Sequence, residues 1–162
     1  MRILGIDPGL AFTGWGVIES NGSRLSYIAG GVVKTNPKSS MAERLAVIHD
    51  GLQEALKQHK PDTAAVEEVF VNSNARTSLK LGQARGIALL LPQLHGLSVG
   101  EYTPLMVKKS VVGYGKAEKS QVAQMVKMLL PTADVSQNDT ADALAVAICH
   151  AHTCQFNQKL SA

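Results

Sequence analysis

The sequence predicts an α/β domain, a five-stranded mixed sheet flanked by helices. Three observations carry that expectation. Short apolar runs separated by glycine-containing turns fill residues 1–34, later apolar runs alternate with stretches of helical period, and no Ser/Gly linker, repeat or low-complexity tract interrupts the chain. The resulting order is βββαβαβα, and 1–162 reads as one domain.

The first three strands are 3–7, 15–19 and 25–34, with Asn21-Gly22 marking the second turn. Connections this short predict an antiparallel meander. Ser40 with Glu43 makes a capping box, after which Met41, Leu45, Ile48, Leu52 and Leu56 recur at helical spacing up to Lys57. Residues 63–70 are small, apolar or β-branched apart from Glu67 and Glu68, the composition of a buried central strand. A second helix covers 78–94, with Pro92 expected to end or bend it. Residues 97–102 form the fifth strand, and Thr103-Pro104 supplies an N-cap followed by proline at the first helical position. Helices over about 104–111, 118–130 and 138–153 complete the chain, leaving a tail of about eight residues expected to be mobile.

Composition excludes several classes. No apolar run approaches the roughly 18 residues that a membrane span needs, and Asp7 arrives too early for a signal peptide, so a cytoplasmic protein without a membrane partner is expected. Cys149 and Cys154 are too few for a secreted disulfide framework. Aromatic residues, at 4%, are too scarce for a module that holds single strands on many stacking platforms. The net charge of +3 says little, but residues 76–127 carry eight basic side chains against two acids, a formal +6. Such a segment is either a solvated helix face or a surface for a polyanion.

Four carboxylates stand in strongly apolar contexts. Asp7 ends the first strand, Glu67 sits within 64–70, and Asp139 and Asp142 lie within 138–145. An unpaired buried carboxylate is costly, so such groups are protonated, paired with bases or gathered around a cation. No Lys or Arg lies close to them in sequence. Asp139 and Asp142 share a helix face, and carboxylates from two neighbouring strands can meet them at one sheet edge. An all-oxygen set suits Mg²⁺ or Mn²⁺ rather than Zn²⁺. Each residue alone also has a plainer reading. Asp7-Pro8-Gly9 starts a turn, Ser136 and Asp139 form a capping box, Asp142 complements a helix dipole, and alternation sends only one of Glu67 and Glu68 to a given face. Coincidence of all four plain readings is far less economical than one shared site. The run from Cys149 to Cys154 lacks a second ligand pair for zinc, and the glycines of 5–16 lack the spacing of a nucleotide loop.

Five blocks in order carry a resemblance: Gly5-Ile6-Asp7-Pro8-Gly9, Val66-Glu67-Glu68-Val69-Phe70, residues 78–86, residues 111–122, and Asp139-Thr140-Ala141-Asp142-Ala143-Leu144-Ala145. Together they resemble the RuvC family of bacterial Holliday junction resolvases, nucleases of the RNase H and retroviral-integrase superfamily. The resemblance implies an RNase H-like fold, a homodimer on four-way junction DNA, and the RuvA–RuvB branch-migration complex as partner. It selects Glu67 over Glu68. Asp7, Glu67, Asp139 and Asp142 are then the catalytic, metal-binding set, holding two Mg²⁺ ions, with Mn²⁺ as a substitute, for hydrolysis leaving 5′-phosphate and 3′-hydroxyl ends. Lys108 and Lys119 match basic positions near the scissile DNA, Lys80, Arg85 and Lys116 are further DNA-binding candidates, and Phe70 matches an aromatic at the junction centre. The 78–94 helix, with Leu79, Ala84, Ile87 and Leu91, is either the dimer interface or intramolecular core.

Two rival classes are weaker. An actin-like sugar kinase or ATPase shares the Asp-Gly hairpin but needs a chain about twice as long. A non-catalytic junction-binding relative would have lost some of the carboxylates, and all four are present.

Overall fold

Arg2–Asp7 (β1), Phe12–Asn21 (β2) and Arg24–Lys34 (β3) form the expected antiparallel meander, with Gly22 at positive φ in its second turn. The computed structural model describes residues 1–68 and 74–161. Thr63–Glu67 (β4) lies parallel to β1 and Ser98–Tyr102 (β5) parallel to β4, giving the order β3-β2-β1-β4-β5. The sheet is thus mixed and five-stranded. β1 and β4 are paired along both edges, so their side chains meet a covered face on either side, which is why both runs are almost wholly apolar.

Strand alternation divides the core in two. Leu4, Ile6, Ala64 and Val66 point towards Met41–His59 (α1) and Ala75–Leu94 (α2), where they meet Ile48, Leu52, Ala84, Ala88 and Leu91. Ile3 and Ala65 point the other way, towards Pro104–Val112 (α3), Lys119–Leu129 (α4) and Asn138–Ser161 (α5). The same alternation sends Asp7 and Glu67 to the α5 side.

Local chemistry sets the helix ends. The Ser40 amide donates to Glu43 Oε2 at 2.7 Å and the Glu43 amide to Ser40 Oγ at 3.3 Å, so the expected capping box is formed. Thr103 Oγ1 accepts from the Met106 amide at 3.2 Å, one residue ahead of Pro104. α5 lies almost flush on the sheet because glycines face it. A Cβ at Gly5 would stand 2.1 Å from the Ala143 carbonyl oxygen, and one at Gly14 would stand 2.0 Å from that of Asp139. Residues 143–151 are all buried, as befits a helix that is apolar on every side.

Some boundaries differ from expectation. α2 starts at Ala75, because the Asn74 side chain accepts from the Arg76 and Thr77 amides. It also runs through Pro92 to Leu94, since a proline in the last turn removes one intrahelical bond without stopping the chain earlier. α5 continues beyond 153, and the segment expected as a tail is helical to Ser161. Ser136 does not cap that helix; its amide donates to Asp134 Oδ1 at 3.0 Å. No described helix is long and apolar enough to cross a membrane.

Candidate active site

Three elements deliver carboxylates to one end of the sheet. Ile6 pairs with Val66 and Asp7 with Gly14, so Asp7 and Glu67 are neighbours at the ends of the parallel strands β1 and β4. The first turn of α5 lies against Gly14, which sets Asp139 beside Asp7. Asp142, three residues on, faces the strand ends. Asp7, Glu67 and Asp142 join Lys108 of α3 and Lys119 of α4 in lining a cavity of about 250 Å³ whose apolar wall is Pro104, Val107, Val122 and Ala145. Asp139 is not among the lining residues, although its charge reaches Asp7.

The electrostatics are those of an anion cluster with too little cation. Burial, reinforced by the Glu67 and Asp142 carboxylates, pushes Asp7 up to about 8 against the pull of Lys119. Burial and then Asp142 push Glu67 up to about 7, while Lys119, a hydrogen bond shared with Asp7, and Lys108 hold it down. Lys119 Nζ donates to Asp142 Oδ2 at 2.9 Å, and that contact raises the lysine in turn. Among the described residues no three His, Cys, Asp or Glu side chains stand together closely enough to hold a metal ion as they are placed. The donor set is nonetheless all oxygen, half-buried and richer in carboxylate than in positive charge, which fits a hard divalent cation.

The profile of the crossover junction endodeoxyribonuclease RuvC family matches residues 3–150, which takes in all four carboxylates. This chain belongs to the RuvC family. RuvC of Azorhizobium caulinodans is 58% identical over 94% of this chain and 90% of its own length. RuvC of Rhodopseudomonas palustris is 56% identical over 100% and 93%. T. thermophilus RuvC, solved in complex with a Holliday junction substrate, superposes with a TM-score of 0.90 at 34% identity, over 97% of this chain and 96% of that one. The RNase H-like fold and the nuclease class are therefore those that the sequence resemblance implied.

The remaining candidates divide within this RuvC frame. Lys80 on α2 and Lys116, between α3 and α4, are exposed. Phe70 lies outside the described residues. Arg85 is engaged internally, its Nε donating to the Glu67 carbonyl oxygen at 3.3 Å and its other arm paired with Glu101. Glu68 does not line the cavity; its amide donates to the Tyr102 carbonyl oxygen at 2.8 Å. The side chains of the Cys149–Cys154 run are engaged with the fold. Cys149 is buried, His150 is hydrogen-bonded to Thr63 and Tyr102, and His152 to Ser110. One feature without a sequence signal is Arg44. From α1 it donates to Thr35 Oγ1 at 2.8 Å and to the Leu10 carbonyl oxygen at 3.3 Å, bracing the turn that follows Asp7.

Proposed function

We propose that the cavity between β1, β4 and α5 is the phosphodiester-cleaving centre with which this crossover junction endodeoxyribonuclease cuts four-way junction DNA. The observation that carries the reading is that Asp7, Glu67 and Asp142, from three separate elements, line one cavity together with Lys108 and Lys119. Asp7, Glu67 and Asp142, with Asp139 beside them, would hold Mg²⁺, two ions per site, or Mn²⁺ in its place. When bound, such cations supply charge stabilisation for the phosphoryl oxygens and an activated water.

The chain's own groups do the rest. Lys108 and Lys119 line the same cavity, Lys119 paired with Asp142 at 2.9 Å, and their charge offsets that of an entering phosphate. Val107, Val122 and Ala145 keep one wall dry, which strengthens every charge interaction inside. Exposed Lys80 and Lys116 serve as backbone anchors at a distance, a role that follows from exposure and sign.

The homodimer belongs to the same reading. Of the α2 residues, Ala84 and Leu91 are buried in the core cluster shared by the sheet and α1, whereas Leu79, Leu90 and Leu94 are 66%, 53% and 72% exposed. Gly82 and Gly86 on that helix have nothing within 4 Å of a Cβ, so two glycines that weaken an isolated helix leave room for close approach by another. A second copy of this chain is the occupant that a two-fold nuclease requires. The family resemblance also supports the RuvA–RuvB complex as a partner and a cytoplasmic location for a chain that acts on junction DNA.

The test is a synthetic four-way junction incubated with the full chain, with and without Mg²⁺. Paired nicks in strands of like polarity, dependent on Mg²⁺ and sealable by ligase, are expected. Cleavage that persists in chelator, or a linear duplex cut as readily as a junction, would overturn the assignment.

A further inference from the structure

Arg85 stands in the basic segment, yet its guanidinium is occupied within the fold. From α2, Nε donates to the main-chain carbonyl of Glu67 at 3.3 Å, and a second nitrogen is paired with the Glu101 carboxylate. Glu101 lies on β5 opposite Val66, so one planar side chain ties α2 to the ends of two adjacent strands. The Arg85 side chain is only 20% exposed. Moreover, α2 covers the face of the sheet opposite to α5, whereas the Glu67 side chain enters the cavity on the α5 side.

The location matters because β4 ends at Glu67. Its carboxylate lines the cavity with Asp7 and Asp142, so where the last residue of the strand sits decides where that side chain enters. The Glu68 amide donates to the Tyr102 carbonyl oxygen just beyond that end, and the Arg85 guanidinium adds a hold on the Glu67 carbonyl from the α2 face.

We propose that Arg85 is a positioning residue, clamping the end of β4 through the Glu67 carbonyl and Glu101 so that the Glu67 carboxylate stays in the cavity, and that it is not a phosphate anchor. The proposal rests on Glu67 belonging to the catalytic set. A lysine cannot replace Arg85 in this role, since one ammonium does not span two partners that a planar fork reaches together.

The experiment compares Arg85→Lys, Arg85→Gln, Glu101→Gln and the Arg85→Gln/Glu101→Gln double variant with the unmodified chain. Three quantities are measured: junction affinity with Ca²⁺ replacing Mg²⁺, single-turnover cleavage at saturating junction, and the Mg²⁺ concentration giving half-maximal rate. Junction affinity is expected to stay within about twofold, with an unchanged salt slope. The saturated rate should fall about tenfold or more in both Arg85 variants, with a higher Mg²⁺ requirement. Glu101→Gln should shift both in the same direction by less, and the double variant should be no worse than Arg85→Gln alone.

Rescue by Arg85→Lys, together with weaker and less salt-dependent junction binding in Arg85→Gln, would make Arg85 a phosphate contact and overturn the proposal. Unchanged rates and Mg²⁺ requirement in all variants would overturn it equally. If Arg85→Gln fails to fold, Glu101→Gln with its Mg²⁺ titration decides. Glu67→Gln, run in parallel, separates the two readings: cleavage retained there defeats the assignment of the site itself, whereas cleavage lost there with normal Arg85 variants defeats only the clamp.

Discussion

Asp7 is held where its charge is least welcome, at the end of β1 and beside Glu67 and Asp142, and this has a measurable cost. Folding raises its carboxyl from 3.8 to about 8. A carboxyl raised on folding leaves stability unaffected below its unfolded value and lowers it progressively as pH climbs to the folded value. Glu67, raised to about 7, acts in the same direction. In chelator, the urea midpoint should therefore drop between pH 5 and pH 8, and Mg²⁺ should restore more stability at pH 8 than at pH 5. A flat profile in chelator would contradict this electrostatic picture. Asp7→Asn removes the charge without changing the shape. It should stabilise the metal-free protein by about 1–2 kcal/mol at pH 8 while lowering cleavage at least about 10³-fold, with junction binding kept. Glu67→Gln should likewise abolish turnover, whereas Glu68→Gln, whose side chain lies off the cavity, should stay within about threefold of normal in the same junction assay. Equal losses in the two glutamate variants would mean that the register at the end of β4 is misassigned.

At the scale of elements, the precision of the site depends on how closely α5 lies on the sheet. Gly5 permits that approach, because a Cβ there would meet the Ala143 carbonyl oxygen at 2.1 Å, a backbone atom that cannot swing aside. Gly5→Ala is expected to cost about 2–4 kcal/mol by urea denaturation, and the surviving folded protein should cleave more slowly as Asp139 and Asp142 are displaced. A loss below about 0.5 kcal/mol would show that α5 can shift freely. Much of this architecture was legible in the chain, because period, caps and turn residues are local signals. Ser40 with Glu43, Thr103-Pro104 and the short turn at Gly22 each act within four residues, and the structure places all three as expected. Carboxylates in apolar runs also left a mark on composition, and of the four so read Asp7, Glu67 and Asp142 line one cavity whereas Asp139 does not. Contacts made at a distance left no such mark. Nothing local says that Ala84 and Leu91 are buried in the core while Leu90 is half exposed, or that the Arg85 guanidinium is taken up by a strand end 18 residues away in sequence. Alternation alone also left Glu67 and Glu68 open, because it fixes their difference in face but not which face carries the cavity.

For the molecule as a whole, the decisive constraint is that resolving a four-way junction into two duplexes takes two nicks on strands of like polarity, and among the described residues Asp7, Glu67 and Asp142 line one cavity. A two-fold pair joined through α2 would supply the second. An isologous interface presents every residue twice, so a charge placed at Leu90 or Leu94 enters the contact in two copies. Leu90→Glu should therefore weaken self-association about 100-fold or more, seen as a shift to monomer in sedimentation, while costing the monomer little because Leu90 is 53% exposed. Mixed pairs of normal and Asp7→Asn chains test the link between assembly and chemistry. Each pair retains one working cavity, so a cruciform plasmid should be nicked but not linearised. If mixed pairs linearise the plasmid, one cavity serves both strands in turn, and the need for symmetry falls away. If Leu90→Glu chains sediment as monomers free and on the junction yet still make paired cuts, the second nick comes from an independent encounter rather than from a partner held across α2.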